Sequence, residues 1–434
     1  MKTFRDFIEK LRKEKKMVEL KKPISKHLGL AGVLKALDGK PVYTEHVAEN
    51  PGARVAGNIF STRGLICEYL GINEAGLIPH ITNAVNNPTK PALVDAAKAP
   101  VLEVTEKEID LGKIPIPFHA EKDGGPYFAS AVVIAHDKEL GRNCSFHRMM
   151  VLDKNRVAMR ILPRHLAEFI KRAGGELDVA FVVGAPINVL LAGATSVELG
   201  RDELEIANTI MPLNTVRLPN GIEVPADAEY AFEGRITKEM VDEGPFIDLT
   251  ETYDIVRKQP VMRITAVHHR KDPIFHALLP GALEHKILMG MPREPTIFNE
   301  VNKVAECVGV NLTPGGCSWL HAVVAIRKKS EDDGRKAVEA AFRGHKSLKH
   351  VVVVDDDIDI YDPASVEWAI ATRVQADKSL VIKTNEKGSS LDPSADPHTY
   401  ATAKLGVDAT KPLVAHGKNF TKAEWKKIEP GDYL

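Results

Sequence analysis

A mixed α/β chain (α/β in its outer regions, α+β overall) built from more than one domain is the fold class this sequence predicts, on three observations. Its 434 residues, 44% hydrophobic and 27% charged, are enough to bury two or three separate cores. Strand-like and helix-like runs alternate up to about Val104, the signature of a mixed layer structure. From Phe128 the texture changes to short apolar runs separated by charged turns, which read as antiparallel strands. The expected organisation is an N-terminal α/β domain over 1–105, a central β-barrel-like domain over 106–304, and a C-terminal α/β domain with a polar tail over 305–434.

Thr3-x-x-Asp6 precedes Phe4, Phe7, Ile8 and Leu11 at helical spacing, so the chain is expected to open on a capped amphipathic helix. Arg54-Val-Ala-Gly-Asn58 reads as a strand and Leu65-Ile-Cys-Glu-Tyr-Leu70 as a helix. Pro115-Ile-Pro117 breaks the chain before the barrel-like region. There Phe128–Ile134, Met149–Leu152, Val157–Ile161, Val179–Val183, Ile222–Val224 and Val261–Val267 are the strand signals, interrupted by helices around 164–173 and 201–208. Leu320–Ile326, a helical stretch from Asp332 to Phe342, and Val351–Val354 then form a β-α-β pattern. The tail from Lys383 is polar, with a final helix expected at Thr421 to Lys427.

Composition excludes several function classes. Lys+Arg 58 against Asp+Glu 59 leaves no broad field for nucleic acid or an anionic membrane. Cys67, Cys144, Cys307 and Cys317 lack a C-x-x-C spacing, which argues against a zinc ribbon or a disulfide framework and fits a reducing cytoplasm. No apolar run approaches the roughly 20 residues of a membrane span, and the amino terminus lacks a signal peptide's apolar core. His268, His269 and His276 lack the H-E-x-x-H pattern of a metal hydrolase and read as surface or core histidines. The Asp355-Asp-Asp-Ile-Asp359 run lacks the Gly and terminal Glu of an EF-hand loop.

Two stretches carry the chemistry. Asn143-Cys-Ser-Phe-His-Arg148 and Glu243-Gly-Pro-Phe-Ile-Asp248 together supply a guanidinium and two carboxylates. Arg holds a substrate carboxylate in a bidentate fork, and delivery of a proton to carbon needs a nearby carboxylic acid. On these residues alone a buried structural Arg with acidic partners explains the pattern equally well.

The order of motifs adds a resemblance. Asn143-x-x-x-x-Arg148, Arg164-His165, Arg201-Asp-Glu-Leu-Glu-Ile206, Val224-Pro-Ala-Asp-Ala-Glu229 and Glu243-Gly-Pro-Phe246 resemble the UbiD family of decarboxylases, which use prenylated flavin mononucleotide. Asp123-Gly-Gly-Pro-Tyr127, Met291-Pro-Arg-Glu-Pro295, Val354-Asp-Asp-Asp-Ile-Asp359 with Trp368-Ala-Ile-Ala-Thr-Arg373, and Ser390-Leu-Asp-Pro-Ser394 extend the resemblance over nearly the whole chain. Each motif is weak alone; the set in this order is specific.

What the resemblance implies is explicit. The central domain is a split β-barrel that binds prenylated FMN, and the C-terminal tail helps form a homodimer or higher homo-oligomer. A divalent ion, Mn²⁺ or Mg²⁺, anchors the cofactor phosphate through Asn143, His165 and Glu203, an amide, imidazole and carboxylate set suited to such ions. Glu205 competes with Glu203, and Glu203 is preferred because Glu203-Leu-Glu-Ile-Ala207 matches the family's Glu-x-x-x-Ala, although Asn208 replaces the usual Gly. A potassium ion accompanies the divalent one. Ser145, Phe146, His147 and Arg148, the strand end Arg160-Ile161-Leu162, and Arg164 with His165 flank the cofactor, with Lys387 a further phosphate contact.

In the same reading Arg148 holds the substrate carboxylate, Glu243 orients Arg148, and Asp248 donates the proton, while the cofactor serves as electron sink. The cofactor itself comes from a flavin prenyltransferase. Chain length and Ser145-Phe-His147 resemble the archaeal branch that converts trans-anhydromevalonate 5-phosphate, an α,β-unsaturated carboxylic acid, to isopentenyl phosphate in a modified mevalonate pathway. Decarboxylation of an aromatic acid such as a 4-hydroxybenzoate derivative is the alternative, and it predicts no dependence on phosphate. A non-catalytic flavin-binding assembly subunit is a third reading, which the complete Arg148, Glu243 and Asp248 set disfavours.

Overall fold

The computed structural model describes residues 3–106 and 108–414, and beyond these 419, 420, 422, 423, 425, 426, 428, 429, 431 and 433. The helix expected at 421–427 includes residues outside that set. The chain divides into two compact units. One holds residues 1–295, 314–319 and 390–393; the other holds 296–313, 320–389 and 394–434. Both are mixed α/β, as the alternation of patterns predicts.

The first unit opens on the helix Phe4–Lys13. Thr3 and Asp6 form a reciprocal capping box, and Phe4, Phe7, Ile8 and Leu11 are buried along one stripe. Phe7 stacks on Phe60 with ring centroids 5.9 Å apart. A four-stranded sheet follows in the order Val18–Leu20, Val42–Val47, Asn50–Gly57, Ile274–His276. Its last strand comes from far along the chain and pairs parallel with Asn50–Gly57, a connection no local pattern signals.

The larger sheet of this unit is antiparallel and has nine strands. Its path runs Tyr127–Phe128, Met149–Val151, Arg156–Met159, Arg257–His269, Tyr230–Glu243, Leu177–Val183, Val132–Asp137, Gly141–Phe146, with Val104–Glu106 added beside Arg257–His269. Most of these strands follow the apolar runs, but Tyr230–Glu243 carries a polar second half that masks it in the sequence. The hairpin of Val132–Asp137 and Gly141–Phe146 is set by Asp137, whose carboxylate accepts the Glu139 and Leu140 N–H groups at 2.9 Å each. Helices Ile187–Ala194 and Glu203–Ile210 pack behind this sheet edge, the first buried along its whole length. That all-round burial explains why its sequence shows no amphipathic signal.

The second unit is a five-stranded sheet ordered Glu306–Leu312, His321–Arg327, His350–Asp355, Ala401–Asp408, Leu380–Lys387. The helix Asp333–Gly344 makes the crossover between the parallel pair His321–Arg327 and His350–Asp355. The acidic run finds its partner here: Arg373, fully buried, bonds Asp355 at 3.0 Å and Asp357 at 2.8 Å. The run is a structural ion-pair cluster. Among the described residues no helix is long and apolar enough to cross a membrane.

Candidate active site

Arg148, Glu243 and Asp248 converge in the first unit. Arg148 follows Gly141–Phe146, Glu243 ends Tyr230–Glu243, and Asp248 follows the short strand Phe246–Ile247. Gly244 makes the turn after Glu243 at φ +99°, a conformation that favours glycine. Gly124 packs against that turn so closely that a Cβ there would sit 2.4 Å from the Gly244 carbonyl oxygen, which accounts for the Asp123-Gly-Gly motif.

Glu243 is fully buried and takes Arg148 in a fork, with Nε to Oε1 at 3.0 Å and Nη2 to Oε2 at 3.1 Å. Arg148 Nη1 donates to Asp248 and Nη2 to Asp254 at 2.9 Å. The guanidinium carbon also lies 4.7 Å from the centroid of the Phe246 ring. Burial works against the Arg148 charge, but Glu243, Asp248 and Asp254 outweigh it and raise the pKa above its ordinary value. Arg148 is therefore a fixed cation, and Asp248, with its side chain 18% exposed against 0% for Glu243, is the more accessible acid.

Sequence reasoning missed three members of this cluster. Asp254, on the strand Tyr253–Asp254 that pairs with Phe246–Ile247, bridges Arg148 and Arg257. Burial opposes its charge, yet Arg257 and Arg148 hold the carboxyl below the usual range. Tyr127 donates its hydroxyl to Glu243 Oε1 at 3.0 Å, and burial beside that carboxylate pushes the phenol pKa upward. Asp123 accepts the Ala120 N–H at 3.1 Å and the Ile247 N–H at 3.4 Å, and burial raises its carboxyl pKa to about 6. Only the Asp123-to-Tyr127 motif signalled any of these; Asp254 has no local signature.

The expected metal ligands also meet. Asn143, Ser145 and His147 lie two apart, so they project to one side of their strand and its extension. Asn143 Nδ2 is 3.2 Å from Glu203 Oε1, and His165 Nδ1 is 3.8 Å from the same oxygen. Cys144 N–H donates to Glu203 Oε2 at 2.8 Å. Ser145 Oγ lies 3.2 Å from Asn143 Oδ1 and 3.0 Å from His147 Nε2, and His147 Nδ1 lies 2.9 Å from the Arg160 carbonyl oxygen. Burial and the neighbouring Arg164 lower the His147 pKa to about 4, so the ring is neutral. Burial raises the Glu203 pKa, a cost that a cation at this position would offset.

The donor set of carboxylate, imidazole and amide fits a divalent ion of the Mn²⁺ or Mg²⁺ type. The Asn143 amide faces Glu203 through its nitrogen; turned about its last torsion it offers oxygen instead. Glu203 is buried at the start of Glu203–Ile210, whereas Glu205 is half-buried. Arg164 is exposed at the N-cap of His165–Arg172. Phe146 packs partly buried against the core, and Arg160, Ile161 and Leu162 form a half-buried strand end where Ile161 N–H donates to Gln259 at 2.8 Å. Lys387 lies in the second unit, exposed at the end of Leu380–Lys387. The histidines that suggest a hydrolase are structural: His268 bonds Glu233 at 2.6 Å, and His276 bonds Glu284 at 3.0 Å, all four buried.

Three family models match in series: the N-terminal domain of 3-octaprenyl-4-hydroxybenzoate carboxy-lyase over residues 8–85, its Rift-related domain over 92–283 and its C-terminal domain over 286–409. The chain belongs to the UbiD family of carboxy-lyases. An anhydromevalonate phosphate decarboxylase of Methanocaldococcus jannaschii is 45% identical over 405 residues, covering 92% of this chain and 95% of that one. Among solved structures, the UbiD-class enzyme HmfF from Pelotomaculum thermopropionicum in complex with FMN superposes with a TM-score of 0.95 at 37% identity, covering 99% of this chain and 100% of that chain. An evolved dimeric form of HmfF in complex with prFMN gives 0.92 at 35% identity with both chains fully covered. In this UbiD chain the Asn143-x-x-x-x-Arg148 stretch therefore joins two centres. Asn143 faces Glu203 and His165, while Arg148 faces the carboxylates.

Proposed function

We propose that the chain is a prenylated-FMN-dependent, non-oxidative decarboxylase of a phosphorylated α,β-unsaturated acid, converting trans-anhydromevalonate 5-phosphate to isopentenyl phosphate. The observation that carries this reading is the forked Arg148–Glu243 pair with Asp248 beside it, a cation for a carboxylate and an acid for a carbon. The close resemblance to archaeal anhydromevalonate phosphate decarboxylases supports the substrate, and the likeness to prFMN-bound HmfF supports the cofactor.

When bound, the prenylated flavin supplies an electron sink for the pair left as carbon dioxide departs. This chain's residues do the rest. Arg148, pinned by Glu243, positions the substrate carboxylate; Tyr127 and Asp254 keep Arg148 and Glu243 in register; the Phe246 ring lies over the guanidinium. Asp248 delivers a proton to the former α-carbon. Asn143, His165 and Glu203 would hold Mn²⁺ or Mg²⁺, with K⁺ nearby, to secure the cofactor phosphate. A flavin prenyltransferase supplies the cofactor, the chain works in the cytoplasm, and it assembles as a homodimer or larger homo-oligomer.

The test is holoenzyme, produced with a flavin prenyltransferase, offered trans-anhydromevalonate 5-phosphate and 4-hydroxybenzoate derivatives in parallel. Carbon dioxide release from the first alone is expected. Release only from an aromatic acid overturns the substrate, and intact cofactor with no turnover of either acid favours a non-catalytic flavin carrier.

A further inference from the structure

Asn143 and Glu203 each have a chain neighbour in a second link between the same two elements. Arg142 precedes Asn143 on Gly141–Phe146, and Asp202 precedes Glu203 as the N-cap of Glu203–Ile210. Arg142 Nε donates to Asp202 Oδ1 at 3.1 Å and Oδ2 at 3.0 Å, and Nη2 donates to Oδ2 at 2.7 Å. Nη1 donates to Glu223 Oε2 at 3.0 Å, on the strand Glu223–Pro225. Asp202 Oδ1 also accepts the Leu204 N–H at 2.8 Å, which caps the helix. The Arg142 side chain is 11% exposed. Burial works against its charge, but Asp202 and Glu223 outweigh it and raise the pKa.

This clasp is independent of the contact it stands beside. Asn143 Nδ2 faces Glu203 Oε1 at 3.2 Å, but an amide that offers its oxygen to a cation gives that hydrogen bond up. Glu203 then keeps the Cys144 N–H on Oε2 at 2.8 Å and its place at the start of the helix. That start is what Arg142 holds. A guanidinium with several bonds to one carboxylate fixes direction as well as distance, and Glu203 is the next residue along the chain. Asp202 is itself a carboxylate one residue from the ligand. Its oxygens are already engaged by Arg142 and the Leu204 N–H, which leaves the role of ligand to Glu203.

We propose that Arg142 and Asp202 are positioning residues for the metal centre: the pair sets the Glu203 carboxylate against Asn143 and His165, and so governs how tightly a divalent cation is held. This rests on the reading of Asn143, His165 and Glu203 as metal ligands. A clasp that served the fold alone would change stability and leave the affinity for the cation as it was. Groups that orient a ligand in this way contribute about 10- to 100-fold to metal affinity.

The test dialyses wild-type, D202N and R142Q holoenzymes against graded, buffered free Mn²⁺, with bound manganese and flavin measured per chain and the unfolding midpoint taken in parallel. Asn caps a helix about as well as Asp, so D202N keeps the cap and loses the charged partner of Arg142. Half-occupancy by manganese is expected at roughly 10- to 100-fold higher free Mn²⁺ in both variants, with wild-type occupancy regained at saturation. Half-occupancy of D202N at the wild-type concentration, whatever its unfolding midpoint, would overturn the assignment. If R142Q does not fold, D202N decides alone. A second readout does not involve the metal: hydrogen exchange at the Cys144 amide of the full chain, which D202N should speed as Glu203 Oε2 loosens. If wild-type holoenzyme holds no manganese, the metal reading fails by itself, and this exchange still decides the clasp. Faster exchange in D202N supports it, and an unchanged rate overturns it.

Discussion

Tyr127 donates its hydroxyl to Glu243 Oε1 at 3.0 Å, the same oxygen that receives the Arg148 Nε–H. The phenol therefore fixes the carboxylate that fixes the guanidinium. Tyr127→Phe leaves Glu243 its two bonds from Arg148 and removes one buried hydrogen bond, so a stability loss of about 1 kcal/mol is expected in chemical denaturation. The kcat should fall by a factor of roughly 2 to 10 as the fork loosens.

Arg148→Lys keeps the charge but cannot make two parallel bonds to Glu243 while also reaching Asp248 and Asp254. Carbon dioxide release should drop roughly 100-fold or more, a loss typical of misplaced catalytic groups. Flavin content, read from the visible spectrum of each sample, normalises the rate, so that a loss of catalysis is separated from a loss of cofactor.

Glu203→Gln removes the one carboxylate shared by Asn143 and His165. Neutralising that ligand should lower bound manganese to less than about a tenth of wild type by elemental analysis, with prenylated flavin lost alongside it. Chelation of the wild-type protein should reproduce the loss of flavin, and added Mn²⁺ should restore it.

Asp123 gives a pH-dependent contribution whose sign follows from its raised pKa of about 6. The folded chain holds a proton that the unfolded chain releases near pH 4, so stability is contributed fully below that pH and is lost as pH rises through about 6. Asp123→Asn should remove this downward slope between about pH 4 and 6, read as the difference in unfolding free energy between wild type and variant across that window. An unchanged slope would place the proton elsewhere.

The sequence exposes some of these relationships and conceals others for physical reasons. The capping box of Thr3 and Asp6 and the apolar strands Leu177–Val183 and Val132–Asp137 are local, so periodicity and turn chemistry reveal them. Ile187–Ala194 is buried on every side and lacks a polar face, and Ile274–His276 joins the first sheet from more than 200 residues away. Neither leaves a readable pattern. Arg148, Glu243 and Asp248 stand out because they sit in ordered motifs, whereas Asp254 reaches Arg148 only through the pairing of Phe246–Ile247 with Tyr253–Asp254.

The most direct test of the central claim, that carbon dioxide leaves a substrate held by Arg148 and protonated by Asp248, is turnover measured together with cofactor content in wild type and Asp248→Asn. The variant is expected to bind prenylated flavin fully and to release carbon dioxide at least roughly 100-fold more slowly, since its amide cannot donate a proton to carbon at the required rate. Turnover by the flavin-loaded variant at the wild-type rate would contradict it.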